Sequence, residues 1–257
     1  PGETTVAVTV TDSGCTNIPL VGADVILSST FVPGSGGHAH IEVEREGTGK
    51  FFMGDSEIGK TVEGLITDEE GKIPEFTYKA GIVGLKETIN AEVMFKEEMV
   101  TGEAELTIAI EGLSPLPDSE EYILTGSTSR HLLNNHYAAD GMEFRILNLA
   151  RLFRAIRTQL FGLTGGLKIN DISLPNGGVF DLCGDLTTCP GEEKPFKGHS
   201  SHEIGIDVDI ESTDSNNVSI VGQRHLLRIF AREMGCRNIG PTHHRCDRPI
   251  IGQIAEP

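Results

Sequence analysis

The sequence predicts an all-β sandwich followed by an α+β domain. Short stretches rich in Val, Thr and Ile alternate apolar and polar residues over residues 4–112, with turn residues between them. Helical spacing of apolar residues is absent there and emerges at 142–160 and 220–235. The charge divides with the texture, since about −13 of the net −17 falls in residues 1–117.

Residues 4–10, TTVAVTV, read as the opening strand. Next come 20–29 (LVGADVILSS), 38–44 (HAHIEVE), 48–54 (TGKFFMG), 61–81, 87–95 and 102–112. About seven short strands, in a chain with 31 glycines for turns, form the pattern of an immunoglobulin-like sandwich. The stretch 112–122, GLSPLPDSEEY, reads as a linker because its prolines, glycine and acids suit neither period. The expected organisation is a sandwich over 1–113, a linker over 114–124 and an α+β domain over 125–257. In the helix at 142–160 the expected apolar stripe is Phe144, Leu147, Ala150 or Leu152, Phe153, Ile156 and Leu160. Arg145, Arg151, Arg154 and Arg157 are expected on its solvated side. A second helix, 220–235, stops at Gly235.

A net charge of −17 without a Lys/Arg cluster excludes nucleic acid as a partner. No run approaches the ~20 apolar residues of a membrane helix. No signal peptide is visible, and a chain starting at Pro1 reads as a mature form or a fragment. Of the five cysteines, Cys183 and Cys189 flank one short loop, and Cys236 and Cys246 bracket a Gly-Pro turn. Two disulfides in an oxidising compartment, with Cys15 left over, and five free thiols both fit.

The chemistry concentrates in 198–210, GHSSHEIGIDVDI. A strand over 204–210 would place Gly205, Asp207 and Asp209 on one face, with His202 at its entry. A neutral imidazole and a carboxylate converging there suit zinc, and Gly205 would allow close approach. The plain alternative is a surface strand with incidental polar residues. Asp207 is either a carboxylate that orients a ligand or a solvated one. Asn170 and Asp171 either line a cleft or cap a turn. His38, His40 and Glu42 share one strand face, read as exposed, with a metal site in the first domain as the alternative. His131 and His136 have no zinc spacing and read as shaping the domain entry or the cleft wall, with one of them reaching the metal from the side as the alternative.

Three segments of the first half, 8–12 (VTVTD), 19–25 (PLVGADV) and 67–78 (TDEEGKIPEFTY), resemble bacterial Ig-like repeats over roughly residues 3–111. That resemblance implies the sandwich and a role as spacer or adhesive unit. In the second half, 171–178 (DISLPNGG) followed by 198–210 resembles the penicillin-insensitive murein endopeptidases. These belong to the metallopeptidase clan that includes D-alanyl-D-alanine carboxypeptidases and dipeptidases. The resemblance implies that His202 and Asp209 are zinc ligands and that His199 lies near the bound peptide. It implies a third ligand near the C-terminal end, where this chain has His243 and His244 in 240–249, GPTHHRCDRP. Adjacent strand residues face opposite ways, so one of the two is expected to bind; His244 is taken first, with His243 close behind. His225 is set aside because it falls in a helix. The family's H-x-H strand is not matched. Related carboxypeptidases place a glutamate base before the last histidine, but positions 241 and 242 are Pro and Thr, which leaves His199 or His243 for that task.

The implied function is a zinc peptidase cleaving peptidoglycan cross-links or similar peptide bonds through a metal-activated water. It would be secreted, periplasmic or on the cell surface, with the Ig-like module as anchor. The alternatives are a non-catalytic surface-binding or adhesion protein with a degraded peptidase site, and a metal-dependent hydrolase of non-peptide substrates.

Overall fold

The computed structural model describes residues 2–12, 14, 17–37, 44–45, 47–95, 98–126, 135–179, 202–233, 236–238 and 243–246. The chain divides into two compact units, Pro1–Gly36 with Ile41–Ile108, and Gly37–His40 with Ala109–Pro257.

The first unit is built of strands β1 (Glu3–Val6), β2 (Thr11–Asp12), β3 (Ile18–Pro19), β4 (Asp24–Phe31), β5 (Lys50–Met53), β6 (Ser56–Gly59), β7 (Thr61–Ile66), β8 (Phe76–Lys79), β9 (Leu85–Phe95) and β10 (Glu98–Ile108). Two four-stranded sheets, β1-β8-β5-β6 and β10-β9-β4-β7, contribute to one apolar cluster, an arrangement compatible with a sandwich. Strand alternation explains the partition. Val25 and Leu27 of β4, Ile89 and Val93 of β9, and Phe51, Phe76 and Tyr78 of the other sheet are all buried in that cluster. Phe51 meets Phe76 and Tyr78 edge-on, at centroid distances of 6.4 and 5.1 Å. The core also holds a carboxylate: buried Glu87 accepts from the Gly49 N–H at 2.8 Å and the Tyr78 hydroxyl at 2.6 Å. Burial, reinforced by Glu87, holds the Tyr78 phenol well above its usual range.

The 61–81 stretch resolves into β7, a turn and β8. Asp68 makes the turn, its side chain accepting from the Glu70 and Lys72 N–H groups at 2.8 and 2.9 Å. Gly71 has φ +73°, and a Cβ there would lie 2.5 Å from the Val10 carbonyl oxygen. The expected strand at 38–44, with His38, His40 and Glu42, lies outside the described residues except for Glu44. That side chain is fully buried and accepts from the Gly34 and Gly36 N–H groups; burial raises its carboxyl.

The second unit begins at 109, earlier than the boundary expected after 113. The stretch 114–124 is part of its core and is not a linker. Strand β11 (Leu113–Pro115) pairs antiparallel with β13 (Tyr137–Ala139), and β12 (Tyr122–Leu124) pairs parallel with β14 (Leu167–Ile169). Leu116 and Tyr122 are buried, the latter donating its hydroxyl to the Pro117 carbonyl at 2.6 Å. Pro115 closes β11 opposite Tyr137, and Pro117 lies in the connection that leads to β12. Helix α1 (Met142–Phe161) packs in the same cluster as α2 (Arg224–Glu233), which follows a 3-10 turn at Val221–Gln223. The unit ends in β15 (Asp207–Asp209), β16 (Cys236–Asn238) and β17 (His243–Cys246), in sheet order β15-β17-β16. Among the described residues no helix is long and apolar enough to cross a membrane.

Helix α1 buries a face rotated from the expected one. Met142, Ile146, Leu149, Ala150, Phe153 and Arg157 point inward, whereas Phe144 and Leu160 are exposed. Both stripes have helical spacing, so the period does not choose between them. A buried charge settles the phase. Arg157, expected in solvent, donates to Asp214 Oδ2 at 2.7 Å and to the Gly165 carbonyl at 3.1 Å, and lies 5.2 Å from the Phe153 ring centroid. Asp214 also accepts from the Asn216 and Val218 N–H groups at 2.9 and 2.8 Å. A Cβ at Gly165 would fall 2.2 Å from Asp214 Oδ2, so glycine leaves room for the carboxylate. Burial alone would raise the Asp214 carboxyl, but the donors outweigh it and hold it below its ordinary value.

Arg157→Met would leave Asp214 buried and unpaired, and should cost about 3–5 kcal/mol in urea unfolding at pH 7. Because the folded-state pKa of Asp214 is depressed, its contribution is present above the ordinary aspartate value and lost as pH falls through the folded one. The stability advantage of wild type over Asp214→Asn should therefore hold at pH 7 and shrink only in acid, below pH ~4.

Candidate metal centre

His202 sits on a 3-10 turn, His202–Ile204, and not at the entry of a strand over 204–210. The strand proper is only Asp207–Asp209. Gly205 joins turn to strand with φ +69°. A Cβ on it would lie 2.5 Å from Leu113 Cδ2 and 2.8 Å from the Ala139 nitrogen. Its glycine thus answers to backbone conformation and to packing on β11 and β13.

The segment 171–178 fixes the histidine. His202 is 2% exposed, and its Nδ1 lies 2.7 Å from the Ile172 carbonyl oxygen. A carbonyl only accepts, so Nδ1 carries a proton, and in the neutral form of the ring the lone pair is on Nε2. Nε2 is 3.8 Å from Asp209 Oδ2 and 3.9 Å from Asp207 Oδ2. Further along, the Gly178 N–H donates to the Glu203 carbonyl at 2.9 Å. A Cβ on Gly177 would lie 2.6 Å from that carbonyl oxygen. The two segments quoted above as a pair are therefore in direct contact.

Three aspartates surround this ring nitrogen or back its partners. Asp207 is fully buried and accepts from the Val208 N–H at 3.0 Å. Asp209 is bracketed by backbone: its N–H donates to the Asp171 carbonyl at 2.9 Å and its carbonyl accepts from the Asn170 N–H at 2.8 Å. The Asp171 side chain accepts from the Asn135 amide and, at 2.9 Å, from the Asn170 amide. Burial, then the like charges of Asp171 and Asp207, push the Asp209 carboxyl up to about 8. Asn135 has no place in the sequence reading, and Asp171 enters it only as a cleft or turn residue. The signal for both lay in the 171–178 segment, whose backbone also receives Asn135: the Ile172 and Ser173 N–H groups donate to its carbonyl at 3.0 and 3.1 Å.

The third histidine is a question of register. β17 runs antiparallel to β15 with His243 opposite Asp209, His244 opposite Val208 and Arg245 opposite Asp207. Residues directly opposite share a sheet face. Position 243 is thus on the aspartate face, and position 244 is on the face of Val208, which is buried in the apolar core. His199 and His131 lie outside the described residues. His136 is buried, its Nε2 lying 3.2 Å from the Ile169 carbonyl oxygen. Burial lowers its pKa, and backbone contacts with Thr125, Ile169 and Asn170 only partly offset that.

The donor set suits a borderline cation. One imidazole nitrogen faces two carboxylate oxygens at 3.8 and 3.9 Å, a few tenths wider than the roughly 3.4 Å between donors sharing a tetrahedral zinc. A cation would also offset the burial and the like-charge repulsion that raise Asp209. Among the described residues no group of three or more His, Cys, Asp or Glu side chains is gathered to hold a metal by itself. A cavity of about 330 Å³ in this unit, lined by Tyr122, Phe144 and Arg151 among others, includes none of these residues. Comparisons with known protein families, curated proteins and solved structures return no match.

Asp209→Asn removes one of the crowded charges. The melting temperature of the metal-free protein at pH 8 should rise by a few degrees, and added zinc, which should stabilise the wild type, should no longer do so.

Proposed function

We propose that the second unit is a zinc-dependent hydrolase domain acting on peptide bonds, peptidoglycan cross-links being the first substrate class to test. The observation that carries this reading is the approach of His202 Nε2 to Asp209 and Asp207, with Nδ1 anchored on Ile172. It is supported by the likeness of 171–178 and 198–210 to the murein endopeptidase segments. His202, Asp209 and, by register, His243 would hold the ion; His243 replaces His244 in this reading because position 244 shares the face of Val208. The chemistry a bound zinc supplies is Lewis acidity, lowering the pKa of a water toward ~7 and polarising a carbonyl.

The chain's own residues do the rest. Ile172 holds the imidazole in one tautomer and one orientation, the arrangement common to metal-binding histidines. Asp207, buried beside His202, adds negative charge that favours a cation. Asn135 and Asn170 hold Asp171, which backs Asp209 through its carbonyl. His199 is the proposed proton-transfer residue at the peptide. In this reading the first unit is an Ig-like spacer or surface anchor, and the protein acts outside the cytoplasm.

The test is zinc stoichiometry and affinity on the full chain. One zinc per chain is expected. His202→Ala and His243→Ala should each weaken it by well over the 10–100-fold typical of residues behind the ligands, while His244→Ala should keep it. The zinc-loaded protein should release fragments from purified peptidoglycan, and His202→Ala should not. A folded wild type that takes up no zinc would sink the proposal and leave a surface-binding protein with a degraded site as the better account.

A further inference from the structure

The strand paired with the one that carries the third candidate ligand holds a disulfide-bonded cysteine. Cys236 of β16 is disulfide-bonded and 5% exposed. Its register partner across the β16–β17 ladder is Cys246. Directly opposed residues of an antiparallel pair have Cα atoms about 4.5–5.5 Å apart, inside the roughly 4.4–6.8 Å that a disulfide spans. β17 lies between β15 and β16, and Cys236 of β16 is buried in the same apolar cluster as Val208 of β15, so a bond from the last residue of β17 to Cys236 would also restrain its pairing with β15. The alternation is consistent. Cys236 belongs to the apolar cluster, as does Val208, so the bridged face is the core face. His243 and Arg245 stand on the other face, opposite Asp209 and Asp207. Slipping β17 by one residue would exchange the two faces and bring His244 opposite Asp209 or Asp207 in place of His243 and Arg245.

We infer that a Cys236–Cys246 cross-strand disulfide fixes β17 in the register that presents His243 to Asp209, so that metal retention depends on the oxidised chain. This rests on the zinc reading above. Cys236 and Cys246 act here as positioning residues, distant from the metal themselves and effective through the strand they pin.

The test combines peptide mapping with metal titration. Mapping of the unreduced chain should recover residues 236 and 246 in one linked peptide; linkage of Cys236 to any other cysteine would overturn the inference. Zinc affinity is then measured for wild type, for Cys236→Ala/Cys246→Ala, for His243→Ala and for the triple variant. As a second route, wild type is reduced with a phosphine, capped with iodoacetamide and freed of reagents, so that neither thiols nor reductant bind the metal. Circular dichroism checks the fold of each sample. Loss of the bridge should weaken zinc by at least about tenfold in the otherwise native chain, and by much less once His243 is gone, since the two changes act through one contact. Amide exchange in β17 should quicken in parallel. A bridge whose loss lowers the melting temperature while zinc affinity stays at the wild-type value would overturn the inference and leave the zinc proposal standing. Absence of zinc from the oxidised wild type would overturn both.

Discussion

The hydrogen bond from His202 Nδ1 to the Ile172 carbonyl organises the second unit's chemistry. It joins two segments some thirty residues apart and fixes which ring nitrogen faces the aspartates. The contacts on either side reinforce it. Gly178 binds the next carbonyl of the His202 turn, and Asp171 and Asn170 bind the backbone of Asp209 on both sides. Displacing 171–178 would move the imidazole and the carboxylate together. That explains in physical terms why DISLPNGG and GHSSHEIGIDVDI mean more as a pair than singly.

Two aspartates of this unit, one buried and one half-buried, take opposite courses. Asp214 is met by a guanidinium and two N–H donors, and its carboxyl is held low. Asp209 is desolvated by burial and sits beside Asp171 and Asp207, and its carboxyl is pushed up. The first arrangement pairs the carboxylate with a guanidinium and belongs to the fold: it accompanies the inward phase of α1 and accounts for Gly165. The second concentrates negative charge beside an imidazole, an arrangement that a cation would complete. Perturbation alone does not distinguish a structural carboxylate from a functional one, since Glu44 of the first unit is also raised by burial while it serves the fold.

The first unit shows how a modest apolar content makes a core. Alternation puts the apolar residues of β4, β9 and the opposite sheet on one side, and most acids on the other. The exceptions, Glu44 and Glu87, are buried against N–H and hydroxyl donors. The edge strand β10 is exposed along most of its length and carries Glu98, Glu103 and Glu105, charges that discourage further strand addition. The acidity noted in the composition is thus largely a solvated surface, in keeping with the proposed role of a spacer.

Amino-acid order alone disclosed what depends on local period and short-range pairing. Most strands of the first half, apart from the one expected at 38–44, which lies outside the described residues, both helices to within a few residues, the change of texture before α1 and the nearness of His202 to Asp209 were legible because each is written within a dozen residues. Three features were not. The 114–124 stretch has linker composition, yet its strands find partners at 137–139 and 167–169. The inward face of α1 was ambiguous between two equally periodic stripes until Arg157 met Asp214, fifty-seven residues away. The choice between His243 and His244 turns on a one-residue register against a strand more than thirty residues earlier, and pattern carries no register. In each case the deciding contact is long-range, and it is made only when the chain is folded.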